Sequence, residues 1–173
     1  MKEFFKKITR GIVKGAIYVY CKVVYRAEVI GKENIPKDGR AVLAGNHTNI
    51  LDCVLLLTTT KRTIHFLAKD ELIKSPIGFI FKGLGIIPVN RREKDKTALP
   101  TAISYLEKDK LIGIFPEGTI NKSIDVTIPF KKGAVKMAYQ TNSAIIPFSI
   151  TGKYKIFGKG VTIVFDKPYK IER

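Results

Sequence analysis

The sequence predicts an α/β domain: a mixed, largely parallel sheet covered by helices on both faces, with an N-terminal amphipathic helical segment. Two observations carry that expectation. First, six short runs are apolar throughout: "AVLAG" (41–45), "IHFLA" (64–68), "IIPV" (86–89), "LIGIF" (111–115), "AIIPFSI" (144–150) and "VTIVFD" (161–166). A strand with one wet face alternates polar and apolar residues, so an apolar run implies cover on both sides. Second, the stretches near 52–60, 71–83, 95–108 and 131–142 read as helices set between those runs, the arrangement of an α/β domain. Pro100 should sit in the first turn of its helix or kink it.

At 173 residues the chain is long enough for one substantial core, and 45% hydrophobic with 27% charged residues is ordinary for a globular protein. No repeat or linker divides it. Cys21 and Cys53 lie in apolar contexts without paired spacing and read as reduced thiols of a cytosolic protein. Two cysteines and two histidines so scattered match no zinc pattern, and no metal or cofactor is expected. The charge is unusual: 31 Lys and Arg against 15 Asp and Glu, net +16. Such a balance calls for a polyanionic partner, whether nucleic acid, anionic lipid or phosphorylated substrate.

Residues 1–26 hold seven basic residues and one acidic one. On a helix, Lys2, Lys6, Lys7, Arg10 and Lys14 fall on one arc, and Phe4, Phe5, Ile8 and Ile12 on the opposing arc. That pattern suits a helix lying in a headgroup region; it equally suits a helix packed on its own domain with a solvated basic face. The uncharged run from Gly15 to Cys21 is too short to span a bilayer, and Lys14 and Lys22 interrupt any signal-peptide core.

In open α/β sheets, chemistry collects in the loops after the strands. Here those loops offer Asn46 and His47, Lys69 and Asp70, Asn90 with Arg91 and Arg92, and Pro116 to Thr119. His47 and Asp52 can meet only if "HTNIL" turns before the helix starts, because residues five apart on one helix do not face each other. If they meet, the carboxylate fixes the imidazole tautomer and frees the other nitrogen as a general base. By itself the spacing is better explained by a loop histidine beside a capping aspartate. No G-x-S-x-G elbow is present and neither cysteine has a catalytic setting, so a base at His47 would activate a substrate hydroxyl.

The paired arginines of "GIIPVNRR" suit a phosphomonoester, or are a solvated pair at a strand end. "FPEGT" (115–119) places a carboxylate and flexible backbone N–H groups after a buried strand, with Gly118 suited to a positive φ. Lys131 and Lys132 precede a helix of small residues, and Pro147 lies in a strand more suited to scaffold than to chemistry. His65, inside an apolar strand, reads as a satisfied core histidine, and "GKYKIFGKG" (152–160) as a connection between strands.

Together and in order, "NHTNILD", "GIIPVNR", "FPEGT" and "IIPF" resemble the four blocks of the glycerolipid acyltransferases, above all the bacterial 1-acyl-sn-glycerol-3-phosphate (lysophosphatidate) acyltransferases. The resemblance spans roughly residues 40–150. It implies acyl transfer from acyl-CoA or acyl carrier protein to the sn-2 hydroxyl of lysophosphatidate, giving phosphatidate, without a covalent enzyme intermediate. It implies His47 as base and Asp52 as its partner, with Arg91 holding the acceptor phosphate, helped by Lys69. Glu117, Gly118 and Thr119 would shape the acceptor site, with Lys131 and Lys132 as added phosphate ligands. Residues 1–30 would form a membrane-associating helical segment and 31–173 the acyltransferase domain. The enzyme would lie, peripheral or monotopic, on an anionic surface at the cytoplasmic face of the cell membrane. Asn49, Asn90 and Ile120 depart from the family pattern, which often has serine, aspartate and arginine at those places. Another acceptor, a different lysophospholipid or glycerol 3-phosphate, is therefore the alternative. A non-catalytic basic module remains a rival, although no nucleic-acid motif is present and no nucleic-acid partner is expected.

Overall fold

The computed structural model describes residues 2–74, 81, 84–89, 97–123, 125, 127–158 and 160–172; at 2–7, 9–10, 69–70 and 72 only the backbone is described. The strands are β1 (Glu28–Ile30), β2 (Ala41–Gly45), β3 (Ile64–Lys69), β4 (Ile87–Val89), β5 (Leu111–Ile114), β6 (Ala144–Gly152) and β7 (Val161–Phe165). The helices are α1 (Lys2–Val24), α2 (Leu51–Thr58), α3 (Asp70–Lys74), α4 (Ala98–Glu107) and α5 (Gly133–Thr141). All six expected strands form, with ends within two residues of the apolar runs. Pro100 lies in the first turn of α4, where its missing N–H costs nothing. Of the helix expected over 71–83, most lies outside the described residues.

The strands form one seven-stranded sheet in the order β1-β7-β6-β2-β5-β3-β4. Every neighbouring pair is parallel except β6 and β7. The exception follows from chain length: residues 153–160 are too few for a parallel crossover, which needs about a dozen or more. The seventh strand, "EVI" at 28–30, pairs with the edge of β7 and was not expected from the sequence.

Two apolar layers cover the sheet. On one face Leu43, Ile64, Leu111 and Ile146 pack with Leu55, Leu56 and Leu57 of α2 and Cys21 of α1. On the other, Val42, Ile87 and Ile112 pack with Ala102 and Leu106 of α4 and Ala134, Met137 and Ala138 of α5. Adjacent strand residues such as Val42 and Leu43 therefore point into different layers, which is why both had to be apolar.

Helix α1 is docked on the domain by the side carrying Val13, Ile17 and Cys21. Lys14, on the basic arc, points the same way and donates to the carbonyls of Thr60 and Arg62 at 2.7 and 2.8 Å. The outward side is the apolar one: Ile8 and Ile12 are exposed, and Val19 and Val23 continue their row. Among the described residues no helix is long and apolar enough to cross a membrane.

Candidate active site

The site begins where β2 ends. Asn46 is buried and exchanges two hydrogen bonds with Ile150: its Oδ1 accepts from the Ile150 N–H at 2.7 Å, and its Nδ2 donates to the Ile150 carbonyl at 2.9 Å. This side chain continues the β2–β6 ladder while its own backbone is released to turn. His47 emerges from that turn. Gly45 just before it is required by close approach, since a Cβ there would collide with Phe148.

"HTNIL" does form a turn ahead of α2. The Asn49 side chain accepts from the Leu51 N–H at 3.1 Å, and the Asp52 N–H donates to the Asn49 carbonyl at 3.0 Å. Asparagine thus does local work where the family often has serine. The turn folds Asp52 back under His47. Asp52, fully buried, takes His47 Nδ1 at 3.0 Å on Oδ2, together with the backbone N–H groups of Thr48 (2.6 Å) and Asn49 (2.8 Å). Its Oδ1 accepts from the Tyr154 hydroxyl at 2.8 Å and from Thr48 Oγ1 at 3.3 Å. A buried carboxylate with this many donors is fixed in rotamer. The histidine is aligned on its far side as well, stacked on Phe115 with ring centroids 4.1 Å apart and planes 16° apart. Its side chain keeps 15% exposure.

The Pro-Glu-Gly-Thr turn lies beside this pair. The Asn121 N–H donates to the His47 carbonyl at 2.7 Å, and Gly118, at φ 73°, closes a turn by donating to the Phe115 carbonyl at 2.9 Å. Lys131 joins it: its N–H donates to the Pro116 carbonyl at 2.8 Å, and its side chain lies over Gly118. Thr119 and Lys132 are exposed, Lys132 immediately before α5.

Glu117 is 3% exposed, and among the described residues neither carboxyl oxygen has a hydrogen-bond partner. Burial raises its pKa above the ordinary carboxylate range, with the Asp52 charge acting in the same direction; His47 and the backbone at His47 and Ile128 act against the shift. Lys69 ends β3 with its side chain outside the described residues, and Arg91 lies outside them altogether. Among the described residues no cluster of His, Cys, Asp or Glu could hold a metal ion.

His65 donates from Nδ1 to the Gly85 carbonyl at 2.8 Å and packs on Tyr105, a satisfied structural histidine. Three residues escaped the sequence reading of the site. In the sequence Phe115 merely closes an apolar strand, Asn46 merely follows one, and Tyr154 sits in a strand-to-strand connection.

A sheet with helices on both faces thus carries, just after β2, a loop histidine oriented by a buried carboxylate. The acyltransferase family model matches residues 26–151, and the chain belongs to that family. It is 35% identical to a 1-acyl-sn-glycerol-3-phosphate acyltransferase of Borreliella burgdorferi over 77% of this chain and 54% of that protein. It is 33% identical to the Bacillus subtilis enzyme of the same name, over 77% of this chain and 68% of that protein. The chain therefore spans about half the length of the Borreliella relative. The crystal structure of the 1-acyl-sn-glycerophosphate acyltransferase from Thermotoga maritima has the same fold, with a TM-score of 0.77 at 24% identity over 98% of this chain and 72% of that one.

Proposed function

We propose that this protein moves a fatty acyl group from a thioester of CoA or acyl carrier protein to the sn-2 hydroxyl of 1-acyl-glycerol 3-phosphate. The observation that carries this reading is the 3.0 Å bond from His47 Nδ1 to an Asp52 carboxylate that solvent does not reach. With Nδ1 committed, Nε2 takes the hydroxyl proton as the alcohol oxygen attacks the thioester carbonyl. The tetrahedral intermediate expels the thiolate, which recovers the proton from the imidazolium, and Asp52 stabilises the imidazolium in between. Products are phosphatidate and free thiol, and no acyl-enzyme forms. Relatives bearing the 1-acyl-sn-glycerol-3-phosphate acyltransferase name support the acceptor class.

In this reading Arg91 clamps the acceptor phosphate with Lys69, Lys131 and Lys132. Glu117, Gly118 and Thr119 shape the space around the glycerol. The enzyme rests on the cytoplasmic face of the cell membrane, with residues 1–30 as the associating segment. The outward row of Ile8, Ile12, Val19 and Val23 supports that placement, as a helix with such a row lies in the interface plane.

The deciding experiment measures thiol release from acyl-CoA and from acyl carrier protein with a panel of acceptors, products being identified by mass spectrometry. Release that depends on 1-acyl-glycerol 3-phosphate is expected, and Arg91→Ala should raise KM for that acceptor far more than for the donor. Release without acceptor, or with glycerol 3-phosphate alone, would reassign the substrate. Vesicles containing anionic lipid should sediment the protein, and serine at Ile12, Val19 and Val23 together should release it.

A further inference from the structure

Residues 153–160 join β6 to β7 and carry no catalytic motif. From this loop Tyr154 turns inward to Asp52. Its hydroxyl is the only partner within 3.0 Å of Oδ1 among those described, because the Thr48 hydroxyl stands off at 3.3 Å. Oδ2, by contrast, is filled by His47 and two backbone N–H groups. One oxygen of the buried carboxylate therefore depends mainly on one phenol 102 residues away. Burial, and then the Asp52 charge, push the phenol's pKa far above its ordinary value, so it stays a donor. The ring is held from the other side by Tyr25, edge to face at 5.4 Å, and Tyr25 is held in turn by Tyr20 at 5.4 Å.

We propose that Tyr154 is a positioning residue of the reaction, whose hydroxyl fixes the Asp52 carboxylate and thereby sets how tightly the His47–Asp52 pair holds its proton. A donor on Oδ1 draws electron density from the carboxylate and weakens its hold on the Nδ1 proton. Without that donor the carboxylate binds the imidazolium more strongly, and His47 gives up its proton only at higher pH. Among the described residues the other titratable groups facing the pair are Glu117 from the loop after β5 and Cys53 from α2; Cys21 of α1 acts on Tyr154. Both thiols are raised by burial, Cys53 to about 12, so Glu117 is the group that could confuse the readout.

The role in catalysis rests on the function proposed above; the titration that tests it does not. The chain has two histidines, so histidine side-chain NMR resolves His47 with His65 as an internal control. In Tyr154→Phe, which keeps the ring contact with Tyr25, the His47 titration curve should move to higher pH while that of His65 stays in place. The same difference should persist with Glu117→Gln in both backgrounds. Tyr25→Leu, which leaves the phenol but loosens its seat, should shift His47 the same way by less. In the acyl-transfer assay, Tyr154→Phe should lower kcat about tenfold at unchanged KM, with the acidic limb of the pH profile moved upward. A His47 titration in Tyr154→Phe that overlays the wild type would overturn the proposal, whatever the assay shows. No acceptor-dependent activity in the wild type would instead overturn the assigned reaction and leave the titration standing.

Discussion

The imidazole of His47 lies nearly parallel to the Phe115 ring, while Asp52 grips its Nδ1. Two different strands thus aim one side chain, because His47 follows β2 and Phe115 follows β5, its direct parallel neighbour. Replacing His47 with alanine should cost about 10²–10⁴-fold in turnover in a protein that still folds. Phe115→Leu should cost about tenfold in turnover, together with ~0.5–1.5 kcal/mol from the lost ring contact. Steady-state kinetics beside thermal denaturation separates the two. Near-normal turnover in purified His47→Ala would dispose of the base assignment.

Asn46 should be a stability residue with a catalytic consequence. Alanine there leaves the Ile150 N–H and carbonyl without their partners, at about 2–6 kcal/mol for the two groups. Aspartate would still accept from the N–H but sets a second oxygen against the carbonyl, so it should fare no better. Urea denaturation measures both; a loss below ~0.5 kcal/mol in alanine would show that the ladder closes without this side chain.

Glu117 makes stability depend on pH in a defined direction. Its folded-state pKa is raised, so folding favours the protonated form. The stability it contributes is complete below the ordinary carboxylate pKa of about 4.3, and is lost as pH climbs through the raised value. Glu117→Gln should therefore be more stable than the wild type at neutral pH and flatter in a plot of melting temperature against pH. Identical slopes would mean that the carboxyl finds a partner in solution.

The cysteines should be inert. Burial raises both thiols, and Cys53, raised to about 12, also feels the Asp52 charge. Alkylating reagents at pH 8 should label neither until the protein is unfolded. The pair Cys21→Ser and Cys53→Ser should retain acyl transfer, as a mechanism without a covalent intermediate requires. Loss of activity with the fold intact would revive a thiol nucleophile.

What could be seen in the sequence follows from where the information sits. The inner strands were legible because each must be apolar on both faces, a local property. The three residues of β1 were not, since "EVI" becomes a strand only by pairing with β7. The His47–Asp52 pair was visible as a spacing, and its meaning came from the order of the four blocks. Phe115, Asn46 and Tyr154 act across the sheet, and Tyr154 lies 102 residues from its partner, so neither composition nor periodicity marks them. For α1 the two arcs were readable, but which one faces the domain is decided by packing. Val13, Ile17 and Cys21 turn the basic side inward at Lys14 and the apolar side out.

The antiparallel step from β6 to β7 forces the chain to reverse above the end of β2. The family match stops at residue 151, before that hairpin is complete. A fragment ended there would keep both His47 and Asp52, though not β7, the partner of β1. It would nonetheless have discarded Tyr154 three residues further on, uncapping one oxygen of the carboxylate. Domain boundaries drawn by similarity can therefore cut through working parts that similarity does not register.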